Sequence, residues 1–354
     1  MEPNIDFSNR GGFSMKRLFF VLLLTVGLIA GQAQAQEMSR VATAGAQFLK
    51  FGVGARALAL ANAFVAFEND PFSLYWNPSG ISSIQGTAVA LSRSTYYSGI
   101  NHSFFGAVLG MGESALGLSV TYMGTDKIEV TTLSAPDGTG TYYDVGNMSV
   151  GLTYGRNITN VLKMGITAKL VRERIYRETA NGLAVDFGSI IDTGLYGVKL
   201  AMSLTNVGRA MQLRGPDLRV SHDRYPNNPA ESKVKADLFT DNWPLPMVYT
   251  IGIRTDLLGG DGVNFPSRIQ RLTLGIAIND AWDAPLRANY GLEYEWRHLF
   301  SLRAGFLQKY DTARFTFGGG INYQIGKTRI VIDYAYVNYQ YLGGTNHFSL
   351  EFCY

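Results

Sequence analysis

Alternation of apolar and polar residues, at a period of two, runs through this chain from residue 86 to its end. In one segment Leu292, Tyr294 and Trp296 alternate with Glu293 and Glu295. A period of two is the repeat of a β-strand whose two faces meet different environments. No later stretch approaches the about 18 consecutive apolar residues that a transmembrane helix requires. The sequence therefore predicts an all-β fold built from short amphipathic strands.

Fourteen such segments can be counted, an even number that lets a single-chain antiparallel barrel close with both ends on one side. They are 86–96, 101–111, 114–124, 144–156, 161–174, 181–190, 195–206, 246–256, 270–280, 286–297, 299–309, 313–325, 328–339 and 345–354. A soluble antiparallel sandwich also alternates, so the period alone does not identify a membrane barrel.

Composition favours the membrane. Hydrophobic residues make up 46% of the chain and charged residues 17%, against about 25% charged in soluble domains. Aromatic residues stand at strand ends on the apolar face, where interfacial girdles of a membrane barrel are expected. These are Tyr96, Tyr122, Tyr154, Trp296, Tyr323 and Tyr336. We predict a transmembrane antiparallel β-barrel over residues 86–354.

Connection lengths support the same prediction. The two longest, 125–143 and 207–245, both follow odd-numbered segments, whereas tight turns follow segments two, four, ten and twelve. Outer-membrane barrels have long outer loops and short periplasmic turns. The connection 257–269 is long and Gly-rich on the periplasmic side. It is either a true exception or a sign that the predicted register slips there.

The last segment ends on an aromatic residue. One face of 345–354 carries Phe348, Leu350, Phe352 and Tyr354. Such a C-terminal strand resembles the insertion signal that the barrel assembly machinery of bacteria reads, although an ordinary last strand gives the same pattern. By parity it closes against 86–96.

The N-terminus carries an export signal. Lys16 and Arg17 precede an apolar run over 18–30, and residues 33–35 read Ala-Gln-Ala, which predicts a secretory signal peptide over residues 15–35. Residues 1–14 are expected to be an upstream mis-start or a cloning remnant. With Cys353 as its single cysteine, the exported chain has no internal disulfide.

Residues 36–85 do not alternate. They combine a run of small residues over 55–66 with the turn-forming pairs Asn77-Pro78 and Ser79-Gly80. A fourteen-stranded barrel is wide enough to hold such a segment in its lumen. We therefore predict an N-terminal plug, or hatch, over residues 36–85.

The hatch sequence resembles the PorV/PorQ family of outer-membrane proteins, within the wider FadL-like barrels. The residues that carry the resemblance are Gly45, Phe48, Leu49, Gly52, Gly54, Ala55, Arg56, Trp76, Asn77, Pro78 and Gly80. Two positions depart from the family pattern. Ala61-Asn62 stands where paired glycines are frequent, and Ser79 stands where alanine is frequent; both changes look conservative in size.

Chemistry-bearing motifs are weak. Gly52-x-Gly54 lacks the rest of a nucleotide loop, and the four histidines are far apart in sequence. The pair His102-Ser103 has no acid placed beside it, and 68–70 (Glu-Asn-Asp) matches no calcium loop. Basic residues are scattered, with a net charge of +3. We expect no catalytic residue, no metal, no cofactor and no nucleic-acid partner, and hence no enzyme.

Charged residues fall on the face of the strands that points into the lumen. The candidate set is Lys163, Lys169, Arg287, Glu293, Glu295, Arg297, Arg303, Arg314 and Asp333. Mixed signs favour an interior salt-bridge network that holds the hatch, in which Arg56 pairs with Glu293, Glu295 or Asp333. A lining that selects a permeant remains the alternative.

The resemblance implies a non-enzymatic role in type IX protein secretion, in which family members handle cargo or help attach it to the cell surface. Loop 207–245, with prolines at 216, 226, 229, 244 and 246, is the expected contact surface. FadL-like architecture implies a second role, passive uptake of hydrophobic compounds across the outer membrane, with Gly318-Gly319-Gly320 as a weak place in the wall. The third possible role is that of a structural barrel that transports nothing.

Overall fold

A computed structural model gives the arrangement of the chain. It describes residue 41 and residues 43–222, 234–259 and 265–354. The predicted signal peptide and upstream segment, residues 1–35, lie outside the described residues and stay predictions. Within the described part, no helix is long and apolar enough to cross a membrane.

Fourteen antiparallel strands form one closed barrel, as the sequence predicts. They are β1 (Thr87–Thr95), β2 (Asn101–Met111), β3 (Ser114–Gly124), β4 (Val145–Asn157), β5 (Leu162–Ile175), β6 (Glu178–Asp192), β7 (Lys199–Gly208), β8 (Val248–Leu258), β9 (Gln270–Ala281), β10 (Arg287–Trp296), β11 (Phe300–Gln308), β12 (Phe315–Ile325), β13 (Thr328–Asn338) and β14 (Gly344–Cys353). Every predicted segment overlaps its strand, because each keeps the period of two along its length.

The last strand closes the barrel against the first. β14 pairs with β1 from Ala88 opposite Cys353 to Thr95 opposite Asn346. The register shifts in two places, at Val185 and Phe187 between β6 and β7 and between Asp256 and Leu258 in the β8–β9 pair. The barrel has no free strand edge, because each of its fourteen strands is hydrogen-bonded to two neighbours.

The two ends of the barrel differ as predicted. We call the end with the long connections the loop end and the opposite end the turn end. Connections 125–144 and 209–247 lie at the loop end, and they contain three two-stranded ribbons. Connections of two to four residues lie at the turn end, at 112–113, 158–161, 297–299 and 326–327. The 259–269 connection is also at the turn end, so the strand count holds and the connection is a true exception, although the β8–β9 register shifts just before it.

The outer face of the wall is apolar. Phe348, Phe352 and Tyr354 point outwards, as the alternation of the last segment predicts. Five of the six predicted girdle aromatics are exposed on this face, namely Tyr122, Tyr154, Trp296, Tyr323 and Tyr336. Tyr96 was assigned to the wrong face: it is buried and stacks edge-on against Phe51 of the hatch, 5.2 Å between ring centroids. It follows β1 directly, where the chain turns inward over the lumen.

The predicted hatch is described from residue 43, and we use the name hatch below for residues 43–86. These residues pack against the inner faces of the strands. The segment contains two short α-helices, α1 (Ala55–Ala59) and α2 (Ser73–Trp76), and two 3-10 helices, Gln47–Lys50 and Pro78–Ser83. It starts near the loop end, where the Gly45 amide donates to the Pro244 carbonyl at 2.9 Å. It ends at the turn end, where the chain enters β1. Its apolar side chains supply nine of the fourteen residues of one buried hydrophobic cluster, in which they pack against β1, β2 and β3.

Inward-facing glycines in the strands leave space for the hatch to pack closely against the wall. A Cβ added at Gly165 would lie 2.3 Å from the Pro78 carbonyl carbon, and one at Gly188 would lie 2.0 Å from Asn77 Oδ1. The same close approach to the hatch occurs in eight further strands, at Gly106, Gly117, Gly155, Gly252, Gly275, Gly291, Gly305 and Gly318. Because a side chain at any of these sites would displace hatch atoms, the glycines fix how closely the hatch and the wall can pack.

This packing predicts the effect of one methyl group. Gly165→Ala should destabilise the barrel by about 1–3 kcal/mol, because the new Cβ overlaps hatch backbone that cannot rotate away. The matched control is Gly319→Ala, whose Cβ would meet only the Ser301 carbonyl oxygen at 3.4 Å. Urea midpoints of the refolded protein in detergent measure both. Equal midpoints for the two variants would contradict the close packing at Gly165.

Candidate functional site

Arg56 of α1 is the central contact between hatch and wall. Its Nε and Nη2 donate to the two carboxylate oxygens of Glu293 in β10, at 2.8 and 2.7 Å. Its Nη1 donates to Asp70 of the hatch at 3.1 Å. A bidentate guanidinium–carboxylate pair fixes orientation as well as distance. The hatch is therefore held in one position relative to β10.

The same carboxylate extends the network into the next strands. Arg303 Nε of β11 donates to Glu293 at 2.5 Å, and its Nη1 donates to Asp333 of β13 at 2.6 Å. All three side chains are at most 5% exposed. A glycine at 320 in β12 leaves the space for this pair, because a Cβ there would lie 2.0 Å from Asp333.

The other predicted members of the network divide into three groups. Glu295 lies 3.9 Å from Arg56 and 3.8 Å from Arg271, at the edge of the network. Arg287 faces the lumen but stacks over the Tyr310 ring, 4.4 Å from its centroid. Arg297 and Arg314 are not in the lumen: both are exposed, the first in a turn over Trp296 and the second in the β11–β12 connection. For these two the predicted strand ends were one or more residues too long, so the alternation was extended into turns.

A second anchor lies nearer the turn end. Glu68 of the hatch accepts hydrogen bonds from Lys163 of β5 and Lys199 of β7. Burial by itself raises the pKa of Glu68, but the two lysines outweigh burial and lower it to about 2. At the loop end a third anchor joins Lys50 and Gln47 to Asp283, at 2.9 and 2.6 Å. Lys169, also in the predicted set, pairs with Asp186 of β6 at 2.8 Å.

The Asn77-Pro78 pair organises the turn that ends the hatch. Asn77 Nδ2 donates to the Val65 and Ser189 carbonyls at 2.8 and 3.2 Å, so it joins two parts of the hatch and the wall. Its Oδ1 accepts from the Ser79 amide and hydroxyl, at 3.1 and 2.7 Å. The serine that departs from the family pattern thus adds a hydrogen bond to the asparagine. Pro78 starts the 3-10 helix, where its missing N–H costs nothing.

The second departure has a backbone reason rather than the size reason given above. Ala61 and Asn62 have φ angles of 53° and 65°, in the left-handed region that favours glycine. Paired glycines would adopt this turn without strain. Asparagine tolerates it better than alanine does, and the Asn62 amide hydrogen-bonds to the Ala57 carbonyl at 2.9 Å.

The remaining hatch-motif residues have packing roles. Phe48, Leu49 and Ala55 are buried, and Trp76 Nε1 donates to the Val53 carbonyl at 3.0 Å. The glycines at 52, 54 and 80 stand where a Cβ would lie within 2.9 Å of another hatch side chain.

The weak motifs of the sequence do not come together in the described residues. His102 is buried in the lumen, whereas Ser103 points to the outer face, because neighbouring strand residues alternate. Glu68 and Asp70 are each paired with cations of the barrel or hatch. No group of three metal-ligating side chains occurs among the residues that the structure describes. That the chain is not an enzyme stays a prediction.

The loop end carries the accessible concavities. A groove of about 830 Å³ runs between the start of the hatch and β3–β5, with Trp243 at its rim. A second, of about 480 Å³, lies inside the β7–β8 connection between Pro216 and Phe239. Between the hatch and strands β7–β10 the cavity is only about 140 Å³, and its lining includes Lys169 and Arg287. The large spaces are thus outside the hatch.

A family model matches the first part of the chain. The family model described as type IX secretion system protein PorV matches residues 33–199, which include the hatch and the first six strands. The resemblance predicted from the hatch residues is therefore confirmed over this part of the chain. No curated protein sequence is similar enough to count as a relative.

Solved structures give the fold. The toluene transporter TbuX of Ralstonia pickettii has a TM-score of 0.54 at 14% identity, and the match covers 85% of this chain and 97% of that one. The toluene transporter TodX of Pseudomonas putida gives 0.52 at 12%, covering 85% and 96%. A FadL homologue of Pseudomonas aeruginosa gives 0.50 at 11%, covering 85% and 98%. With its apolar outer face and this fold, the chain is an integral outer-membrane β-barrel.

The central anchor predicts a large loss on neutralisation. Glu293→Gln should destabilise the protein by about 3–5 kcal/mol, because Arg56 loses its bidentate partner and the buried Arg303 loses one of its two carboxylates. Glu295→Gln in the same strand is the matched control and should cost less than about 1 kcal/mol, since its ion-pair distances are 3.8 and 3.9 Å. Equilibrium unfolding in urea measures both, and a Glu295 variant as damaging as the Glu293 variant would refute the assignment.

The Glu68 anchor predicts a pH dependence. Its pKa is about 2 in the folded protein against 4.5 for the unperturbed group. A lowered pKa stabilises the folded state above about pH 4.5, and this contribution is lost as pH falls towards 2. The difference in unfolding midpoint between wild type and Glu68→Gln should therefore shrink between pH 6 and pH 3. A difference that is independent of pH would contradict the anchor.

Proposed function

We propose that this outer-membrane barrel, whose hatch and first six strands match the PorV family, is a non-enzymatic component of type IX protein secretion that handles cargo at the cell surface. The observation that carries the proposal is the family match over residues 33–199. The family implies association with other secretion components, and the loop end supplies the surface for it.

A filled lumen favours docking over conduction. The hatch is tied to β5, β7 and β10 and to the β9–β10 connection by charged groups, and the inward glycines bring it against the wall. Moving the hatch would break the bidentate pair between Arg56 and the buried Glu293, which costs several kcal/mol. A protein that acts through its outer loops needs no such movement.

The β7–β8 connection has the character of a protein-binding surface. Phe239 and Leu238 are 84% and 55% exposed beside the groove at Pro216. Exposed apolar side chains in loops outside the membrane mark contact sites for other proteins. The expected contact surface, loop 207–245, includes these residues, although its part 223–233 lies outside the described residues.

Uptake of small hydrophobic compounds is the second candidate. It is favoured by the fold, since TbuX and TodX are described as toluene transporters. On this function a monoaromatic compound would need a path past the hatch. The cavity beside the hatch is lined in part by Lys169, Asn206 and Arg287, which are poor contacts for a hydrocarbon.

A gene deletion complemented with loop variants tests the two candidates. In the deletion strain we expect cargo to accumulate in the periplasm while uptake of a monoaromatic compound is unchanged. The Leu238→Asp/Phe239→Asp variant should restore the barrel but lower surface cargo at least fivefold, because charge disrupts the apolar contact. Leu133→Asp is the control, since Leu133 is an even more exposed apolar residue in the β3–β4 connection; this variant should secrete normally. If the deletion strain secretes cargo normally but no longer takes up the monoaromatic compound, the secretion function is wrong and the uptake function is favoured.

A further inference from the structure

Two arginines face the membrane side of the wall near the loop end and are joined by the register of the strands between them. Arg93 in β1 is in register with Ser103, which is in register with Tyr122. Tyr122 is opposite Met148, and Met148 is opposite Arg172 in β5. These five residues all point outwards, and we call them the arginine row. Its two arginines are four strand spacings apart, roughly 19 Å along the wall.

Neither arginine of the row is neutralised. Arg93 Nη2 donates to the Asn101 amide oxygen at 3.2 Å, and it forms no ion pair with any described residue. Arg172 is exposed, and no described side chain pairs with it. By contrast Arg174, two residues nearer the loop end, pairs with Asp144 at 2.5 Å. An exposed arginine on the membrane face without a counter-charge in the chain is available to an anion from outside the chain.

The wall is apolar on the turn-end side of the row. Leu91, Phe105, Val120, Val150 and Leu170 form the next outward row in the same five strands. A shallow groove of about 620 Å³ opens there against β14, lined mainly by apolar side chains that include Leu91, Phe105 and Phe348. On these five strands the row therefore separates a polar part of the outer face, towards the loop end, from an apolar part towards the turn end.

Within the barrel strands, outward basic residues near the loop end occur on one side only. Among the barrel strands, the outward basic residues near the loop end are Arg93, Arg172 and Arg174, all within β1–β5. On the opposite side, β9 presents Asp280 outwards near the loop end. The charge is thus local to five strands and does not form a general interfacial belt.

We propose that the arginine row and the groove beneath it bind a phosphorylated glycolipid of the outer leaflet. The guanidinium groups hold phosphate, for which their planar fork is suited. The hydroxyls of Ser103 and Tyr122 and the amide of Asn101 lie between them and contact sugar hydroxyls. The acyl chains lie on the apolar row and in the groove. A glycerophospholipid fits less well, because it offers fewer hydroxyls for the polar groups between the arginines.

Binding of purified lipopolysaccharide to the full-length barrel in detergent tests the proposal. The probes are diphosphorylated lipopolysaccharide, the same lipid after enzymatic dephosphorylation, and phosphatidylglycerol. Arg93→Gln/Arg172→Gln should weaken binding of the first probe at least tenfold. Arg156→Gln is the matched control, since Arg156 is also outward and exposed but lies at the turn end of β4; it should bind as wild type does.

Each outcome decides the question once heat-modifiable migration has shown that all variants fold. A tenfold loss in the double variant, with weak binding of the dephosphorylated lipid, supports the proposal. Unchanged binding by the double variant overturns it. An equal affinity for phosphatidylglycerol that also depends on the two arginines overturns it as well. The arginine row would then recognise phosphate alone and not a glycolipid.

Discussion

The bidentate pair between Arg56 and Glu293 is the interaction on which the arrangement of the hatch depends. It joins a five-residue helix, too short to be stable by itself, to a strand of a hydrogen-bonded barrel. Glu293 also holds Arg303, so the contact continues across the wall to Asp333. Buried charges of this kind add little net stability, but removing one partner is costly. Their effect is to select one position for the hatch.

The glycine contacts make that position a tight one. The chain has 40 glycines, and those that face the lumen let hatch backbone approach strand backbone. Gly318, in the run proposed as a weak place in the wall, is one of them: its Cβ would lie 2.5 Å from that of Ala59. The β11–β12 and β12–β13 pairs are continuous along this run. Gly318 thus serves close packing with the hatch, and Gly320 leaves space for the Arg303–Asp333 pair.

Much of the fold could be predicted because the two environments of a membrane barrel wall, lipid and lumen, select different residue types. Each strand alternates between lipid and lumen, so the period of two gave all fourteen strands, and parity gave the closure of β14 on β1. The errors fall where the alternation stops. Tyr96, Arg297 and Arg314 lie just beyond strand ends, where the side chain no longer alternates and the turn sets its direction. Strand counting cannot show where that happens.

The anchors of the hatch were predictable only in part. Arg56 stood out as a cation among small residues. The sequence limited its predicted partner to three acidic residues on the inward faces of strands, Glu293, Glu295 and Asp333. Glu68 and Asp283 were not assigned as hatch anchors, although an acid in the hatch and one at a strand end are visible in the sequence. Their partners are 95 and 233 residues away, and no local pattern encodes such a distance.

The sequence by itself determined the class of fold, the number of strands, the two faces of each strand and the family resemblance of the hatch, because these depend on local periodicity and on contiguous motifs. Only the tertiary structure decided which charges meet in the lumen and that Ala61 and Asn62 occupy a left-handed turn. It also placed Arg93 and Arg172 in one row. That placement depends on the register of five strands, and register is a property of the closed barrel, since the shift of each strand is fixed by both neighbours.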